Sequence, residues 1–293
     1  MKLLRYELKK LFSSKGILFL VTVLLLVNAV LCYLSPSGVD KKRSDEEYVA
    51  GYRSDIERVI RLAERNIADL SGGGDSFVIR YQKKVIENYT AILGSGQIPE
   101  RISGFDEYVA MSGQISLLLF LVVILGSRII LCEHDSRMKS FLCISKRGNR
   151  TYVNKLWLML FLSFGLSAVF SILNLTVCGI KFGFSGLQAP VVSVQSMEFC
   201  PYPMSILGYI LTVYVISSAL TFLVALLSAV VGKLSGSYIF TFLSGGTVCT
   251  CLYLSGFDLG SLFTRNRALN QFGIEVDSLP FYAILLLLTV AFL

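Results

Sequence analysis

The chain has 293 residues, of which 54% are hydrophobic and 16% charged, and its mean hydropathy is +0.66. Water-soluble domains carry about a quarter charged residues, so this composition excludes an ordinary soluble domain and predicts an all-α polytopic membrane protein. The formal net charge of +7 follows the predicted topology and indicates no nucleic-acid partner.

Residues 1–16 are predicted to form an amphipathic helix on the cytoplasmic face of the membrane. Leu4, Leu8 and Leu11 recur at helical spacing, and the basic residues of this segment lie largely off that face. A basic amphipathic helix lies flat among lipid headgroups, so we expect membrane lipids to be one partner of the chain.

Residues 17–34 form an uncharged apolar run of 18 residues. As a helix this run is about 27 Å long, close to the thickness of a bilayer core. A cleaved signal peptide is the alternative, but its apolar core is usually about 7–15 residues, and residues 35–38 lack a convincing cleavage site. We therefore predict a retained first span.

Residues 35–110 have the only soluble-like composition and are predicted to form an extracellular helical hairpin. Apolar residues recur at helical spacing from Ile56 to Ile67 and again from Phe77 to Ile92. Three consecutive glycines, residues 72–74, separate the two runs and predict a break. The charges most simply form a solvated face, and a substrate-gating or partner-docking role is the alternative.

Further apolar runs predict a second span at 111–132 and four more within residues 153–293. These four lie at about 153–178, 205–232, 237–256 and 280–293. The last run has 14 residues and no polar anchor after it. We expect the natural chain to continue past Leu293, with a short buried sixth helix as the alternative.

The basic residues predict the orientation of the spans. With a cytoplasmic amino terminus, the short segments on that side carry 13 Lys and Arg residues, against 3 in the short segments on the other side. Short loops rich in Lys and Arg stay in the cytoplasm. We therefore expect a multi-pass protein of the plasma membrane with its amino terminus inside.

A polar stretch at residues 132–150 invites a metal-site interpretation, because Cys132, Glu133, His134 and Asp135 are consecutive. On a helix, consecutive side chains point about 100° apart, so these four cannot converge on one ion. His134 is the only histidine. We predict no metal site and no catalytic residue here.

Nucleotide chemistry is also not expected of this chain. The Gly232-Lys233 pair has Leu227 where a phosphate-binding loop requires its first glycine and Leu234 where it requires a hydroxyl. We predict that the chain is not an enzyme and binds no cofactor itself. A membrane-embedded hydrolase or redox enzyme that uses His134 is a distant alternative.

Residues 133–152 are predicted to form a cytoplasmic helix and turn. Phe141 and Leu142 are apolar among charged neighbours, which suits insertion into a groove on a cytoplasmic partner. An ordinary loop held inside by its basic residues is the alternative.

Two groups of residues resemble the membrane permease subunit of type-2 ATP-binding cassette (ABC) exporters, in its Gram-positive bacterial form. The first group precedes and enters the first span: Glu7, Lys9, Lys10, Leu11, Phe12, Lys15 and Asn28. The second follows the second span: Glu133, Phe141, Leu142, Ser145, Arg147, Gly148, Arg150 and Lys155.

The resemblance implies a six-span subunit that pairs with a second permease subunit, as a homodimer or a heterodimer. It also implies two separate ABC ATPase subunits, which bind ATP and Mg. The ATPase contact is implied for Glu7, Lys9, Lys10, Phe12, Glu133, Arg137, Met138, Phe141, Leu142, Arg147 and Arg150. The apparently truncated sixth span departs from the family pattern.

Four polar residues stand out within the predicted spans: Asn28, Gln114, Asn174 and Thr176. They are predicted to face the interior or a dimer partner, or simply to form hydrogen bonds between helices. Cys178 and Cys200 fall in one predicted outside segment and could pair, although buried free thiols are the simpler alternative.

The sequence thus predicts an exporter permease that moves a peptide, lipid-like or drug substrate with energy from a separate ATPase. The alternative is a membrane sensor or assembly protein that transports nothing and binds a ligand through its extracellular hairpin.

Overall fold

The structure is a computed structural model that describes residues 9, 15–34, 45–70, 76–112, 115–135, 148–198, 200 and 202–254. Within these ranges the predicted all-helical class is confirmed. The described residues form no β-strand, only two isolated bridges, Ser103 with Ser185 and Pro190 with Ser205.

The described residues include eight α-helices with assigned bounds. They are α1 (Lys15–Leu34), α2 (Asp45–Leu70), α3 (Ser76–Gly94), α4 (Phe105–Ser112), α5 (Ser116–Asp135), α6 (Gly148–Phe182), α7 (Ile206–Ser235) and α8 (Tyr238–Leu254). Two short 3-10 turns, Val191–Ser193 and Gln195–Met197, lie between α6 and α7.

Three helical segments are long and apolar enough to cross a membrane: Lys15–Leu34, Val153–Phe182 and Ile206–Ser235. A fourth is obtained if α4 and the first part of α5, which meet at a 40° bend, count as one broken span. These helices are compatible with a membrane-embedded protein.

Helix α7 occupies the centre of the bundle and packs against α5, α6 and α8. Its start is capped by Ser205, whose side chain accepts a hydrogen bond from the Gly208 N–H. Its end is closed by Gly236 in the left-handed region (φ 62°), where the N–H donates to the Gly232 carbonyl. Both caps satisfy backbone groups that a helix end leaves free.

Two glycines allow the helices around α7 to approach closely. A Cβ atom on Gly126 of α5 would lie 2.6 Å from Ser228 Oγ and 3.3 Å from the Ala225 carbonyl oxygen of α7. A Cβ atom on Gly245 of α8 would collide with the Val123 side chain of α5. Small residues at such crossings let the backbones of apolar helices approach closely. The resulting van der Waals contacts can hold helices together in lipid, where the hydrophobic effect does not.

Helices α2 and α3 pack on each other and form a helical hairpin. Their shared core includes Ile56, Ala63 and Ile92, each about 3% exposed. Tyr48 and Tyr52 of α2 fasten the hairpin to the segment between α6 and α7, with hydrogen bonds to the carbonyl oxygens of Val192 (2.7 Å) and Glu198 (3.1 Å) respectively. We call this end of the bundle the hairpin end.

Helix boundaries in the structure differ from the predicted segments in one informative place. The predicted border between residues 110 and 111 falls inside α4, a short helix of which the prediction assigned residues 105–110 to the extracellular segment and only residues 111 and 112 to the second span. The predicted third and fourth spans correspond to α6 and α7, which are candidate spans. The predicted fifth span overlaps α8, which is not among the described helices long and apolar enough to cross a membrane. The predicted sixth span lies outside the described residues.

Candidate functional site

A polar contact joins α1 to α6 inside an otherwise apolar interface. Asn28 Nδ2 donates to Asn174 Oδ1 at 2.7 Å, and Cys32 Sγ donates to the same oxygen at 3.2 Å. The three residues are 6–7% exposed. Asn28 and Cys32 are four residues apart on α1 and therefore share one face of that helix.

A second contact joins the same two helices nearer the hairpin end. Lys181 Nζ of α6 donates to the Tyr33 carbonyl oxygen at 2.8 Å, in the last turn of α1, where a cation is favoured. Asn28 precedes Tyr33 along α1, and their respective partners Asn174 and Lys181 follow in the same order along α6. It follows that α1 and α6 run parallel.

A small cavity of about 20 Å³ lies beside Asn174, between α4, α5, α6 and α7. Its polar lining comes from Tyr108, Ser112, Ser167, Ser171, Asn174 and Ser217. Its apolar lining includes Ile115, Leu118, Phe170 and Val213. A space of this volume holds about one water-sized group.

Helix α4 carries Tyr108 and Ser112 to the cavity. Its Phe105 is fully buried and stacks on Phe184 with ring centroids 4.7 Å apart, which holds the helix in the bundle. The Tyr108 hydroxyl then lies 3.2 Å from the Ser171 hydroxyl of α6. The apolar residues of α4 therefore place a phenol and a hydroxyl inside the helix core.

The serine hydroxyls around the cavity donate mostly to their own helices. Ser112 Oγ donates to the Val109 carbonyl oxygen at 3.1 Å, and Ser217 Oγ donates to the Tyr214 carbonyl oxygen at 2.9 Å. Their oxygen lone pairs remain as acceptors. No Asp, Glu, Lys or Arg is among the described residues that line this cavity, so its surface is polar but uncharged.

The structure places some of the predicted site residues and leaves others outside the described ranges. Asn28 and Asn174 are buried and bonded to each other, whereas Thr176 donates to the Ile172 carbonyl oxygen of its own helix. Lys9 is exposed. Glu133 lies in the last turn of α5 and Arg150 in the first turn of α6. Outside the described residues lie Glu7, Lys10, Phe12, Gln114, Arg137, Met138, Phe141, Leu142 and Arg147.

Sequence reasoning did not single out Tyr108, Ser112, Ser167, Ser171 or Ser217 as site residues. A signal existed on α6, where Ser163, Ser167, Ser171 and Asn174 follow at intervals of four, four and three residues. This spacing puts all four on one helix face. A polar stripe along an apolar helix indicates a buried interface or cavity rather than a lipid contact.

The cysteines do not form the disulfide that the sequence left open. Cys178 and Cys200 are both buried and free. Cys178 Sγ lies 3.7 Å from Met111 Sδ, and burial raises the pKa of the Cys200 thiol above its ordinary value. Among the described residues, no group of three or more His, Cys, Asp or Glu side chains could hold a metal ion.

No protein-family model matches the sequence, and comparison with curated proteins and with solved structures finds no match either. The polar contact between α1 and α6 and the neighbouring cavity together form an uncharged, hydrogen-bonding centre among apolar helices.

Proposed function

We propose that the chain is the transmembrane permease subunit of an ATP-driven ABC exporter of the type-2 class. A separate ATPase subunit would bind ATP and Mg and supply the energy to move a peptide, lipid-like or drug substrate across the plasma membrane. The observation that carries the proposal is the uncharged polar cavity between apolar helices. Polar groups buried between membrane helices commonly mark substrate pathways.

The parallel course of α1 and α6 supports the topology of this proposal. With the amino terminus in the cytoplasm and six spans in all, the first and third spans cross the membrane in the same direction. The Asn28–Asn174 and Tyr33–Lys181 contacts require the same relation. The exposed apolar side chains of α1, including Leu18, Phe19 and Leu26, suit contact with lipid or a second permease subunit.

Energy coupling would enter through residues 1–16 and 133–152. Closure of the ATPase subunits would push on the segment around Phe141 and Leu142 and shift the attached helices α5 and α6. Such a shift needs two discrete packings of the helices. The glycine crossings at Gly126 and Gly245 suit this movement, because few side-chain atoms have to be rearranged there.

The proposal is tested by co-purification with an ATPase subunit encoded beside this chain. Phe141→Asp places a charge on the proposed contact and is expected to abolish co-purification. Leu234→Asp is the matched control, because Leu234 is 83% exposed at the end of α7 and lies between the predicted fourth and fifth spans rather than in residues 133–152. ATPase binding that survives Phe141→Asp would refute the proposed contact at Phe141. The absence of any ATPase partner would refute the proposed exporter function.

A sensor that transports nothing is the second candidate, and the docking of the hairpin favours it. Tyr48 and Tyr52 connect α2 directly to the segment that joins α6 to α7, so a ligand on the hairpin would act on two bundle helices. ATP-dependent movement of substrate into proteoliposomes that contain the chain and its ATPase separates the two candidates. A sensor predicts no such movement.

A further inference from the structure

We propose that the cavity beside Asn174 binds a single uncharged hydroxyl or carboxamide group, so that the transported substrates are neutral amphiphiles. The inference rests on the proposed function only in assigning the bound group to a transported substrate. The binding of the group itself follows from the donors, acceptors, charge and size of the cavity.

The donor is the amide nitrogen of Asn174. Asn174 Oδ1 already accepts from both Asn28 and Cys32, and the same side chain lines the cavity. Both hydrogen bonds described for Asn174 are accepted by its Oδ1 atom, which leaves the Nδ2 donor available to the cavity that the side chain lines. Asn174 is only 7% exposed, so an acceptor atom of a ligand at this point gains affinity from the amide N–H.

The acceptors are the hydroxyl oxygens of Ser112 and Ser217. Each hydroxyl proton is directed to a carbonyl oxygen of its own helix, which leaves the oxygen lone pairs available to a ligand donor. A group that both accepts and donates hydrogen bonds therefore matches the cavity. Hydroxyl and primary or secondary carboxamide groups have this property.

The charge and the size of the cavity restrict the class of ligand further. A carboxylate or ammonium group would be desolvated in a cavity with no described counter-charge, which is strongly unfavourable. A volume of about 20 Å³ admits one water-sized group but no larger headgroup. The rest of the molecule must then extend away along apolar residues such as Ile115, Leu118 and Phe170, which favours an aliphatic substituent.

Three amphiphiles with a single twelve-carbon chain and a small polar group test the proposal: 1-dodecanol, dodecanoate and dodecylammonium. The full chain is placed in lipid nanodiscs, and the rise of its thermal unfolding midpoint with amphiphile concentration gives the affinity. We expect the uncharged alcohol to bind at least about tenfold more tightly than either ion. Equal affinities for the three would overturn the assignment.

A pair of matched variants ties the binding to the cavity. Ser217 and Ser228 are both buried on α7, and each donates to the carbonyl oxygen three residues earlier, but only Ser217 lines the cavity. Ser217→Ala is expected to weaken binding of the alcohol about threefold to tenfold, whereas Ser228→Ala leaves it unchanged. Equal effects of the two variants would show that the amphiphile binds elsewhere and would reject the proposal.

The outcomes separate this inference from the exporter proposal. Binding that is sensitive to Ser217→Ala, in a chain that co-purifies with no ATPase, keeps the cavity assignment and rejects the exporter. Co-purification with an ATPase, together with equal binding of the three amphiphiles, keeps the exporter and rejects the cavity assignment.

Discussion

The side-chain amide of Asn28 donates a 2.7 Å hydrogen bond to the side-chain oxygen of Asn174 and thereby joins α1 to the helix bundle. Helix α1 is the most exposed of the three candidate spans. In lipid, apolar contacts alone distinguish poorly between a helix neighbour and an acyl chain. The amide pair therefore gives α1 a defined rotation and depth against α6.

Replacement of this amide pair should reveal a coupled loss of stability. We expect Asn28→Leu and Asn174→Leu each to lower the free energy of unfolding by about 1 kcal/mol, with a coupling energy of about 0.6–1.7 kcal/mol in the double-mutant cycle. Unfolding in mixed micelles, followed by circular dichroism, provides the measurement. Thr22→Val is the control, because its hydroxyl is exposed and donates only within α1. Strictly additive effects of the two leucines would contradict the coupling.

The sequence identified the two asparagines as interior candidates but could not pair them. Each stands out as a carboxamide within an apolar run. Helix α1, however, is apolar on most of its surface, so periodicity does not indicate which face meets which neighbour. The partner of Asn28 depends on the packing of a helix 146 positions later in the chain.

Helix α4 shows a different limit of sequence reasoning. Asp106 and Glu107 occupy its first turn, so the stretch resembled the charged segment before it rather than a buried element. Its burial comes from distant contacts, including the stack of Phe105 on Phe184 and the hydrogen bond of Asp106 Oδ1 with the Ser196 N–H. Local composition contains no signal for either contact, and the cavity lining from α4 was therefore missed.

The Gly126 crossing predicts opposite effects for two glycine substitutions. Gly126→Ala should destabilise the chain by about 1–3 kcal/mol, because the new methyl group would crowd Ser228 Oγ and the Ala225 carbonyl oxygen. Gly165→Ala, on α6, should be neutral or stabilising by up to about 1 kcal/mol, since its new methyl group would meet nothing within 4 Å outside the local helix backbone. The same micelle unfolding experiment measures both.

A second substitution isolates the contact responsible for the Gly126 effect. Ser228→Ala removes the oxygen atom that lies 2.6 Å from the position of the new methyl group. The Gly126→Ala/Ser228→Ala double variant should therefore recover part of the lost stability. If Gly126→Ala is as well tolerated as Gly165→Ala, α5 and α7 are not in close contact at this point.

The tyrosine contacts of the hairpin predict a loss of stability at alkaline pH. Burial, together with the negative charge of Glu198, raises the pKa of Tyr48 and of Tyr52 above the ordinary value of 10.0. In the unfolded chain these phenols ionise from about pH 10, while the folded chain keeps them protonated. Their contribution to stability is therefore complete below about pH 10 and is lost as the pH rises above it.

Unfolding midpoints measured between about pH 8 and 12 test this expectation. The wild-type chain should lose stability above about pH 10 more steeply than the Tyr48→Phe/Tyr52→Phe double variant, which has no phenol to ionise at either position. At neutral pH the double variant should be less stable than the wild type, because it lacks the bonds to Val192 and Glu198. Tyr202→Phe serves as a control, since that ring is 39% exposed. Identical alkaline slopes for the wild type and the double variant would contradict the docked position of the hairpin.

The free state of Cys178 and Cys200 predicts how the thiols react. In the denatured chain without reductant, both should be alkylated fully by N-ethylmaleimide, as peptide mass spectrometry would show. In the folded chain Cys200 should react slowly, because burial limits access and raises its pKa above 9.0. Its labelling rate should still be rising about tenfold per pH unit near pH 9, where an ordinary thiol begins to level off. Cys200→Ser provides the decisive control: with both thiols free it leaves the alkylation of Cys178 unchanged, whereas a disulfide would make Cys178 reactive only in that variant.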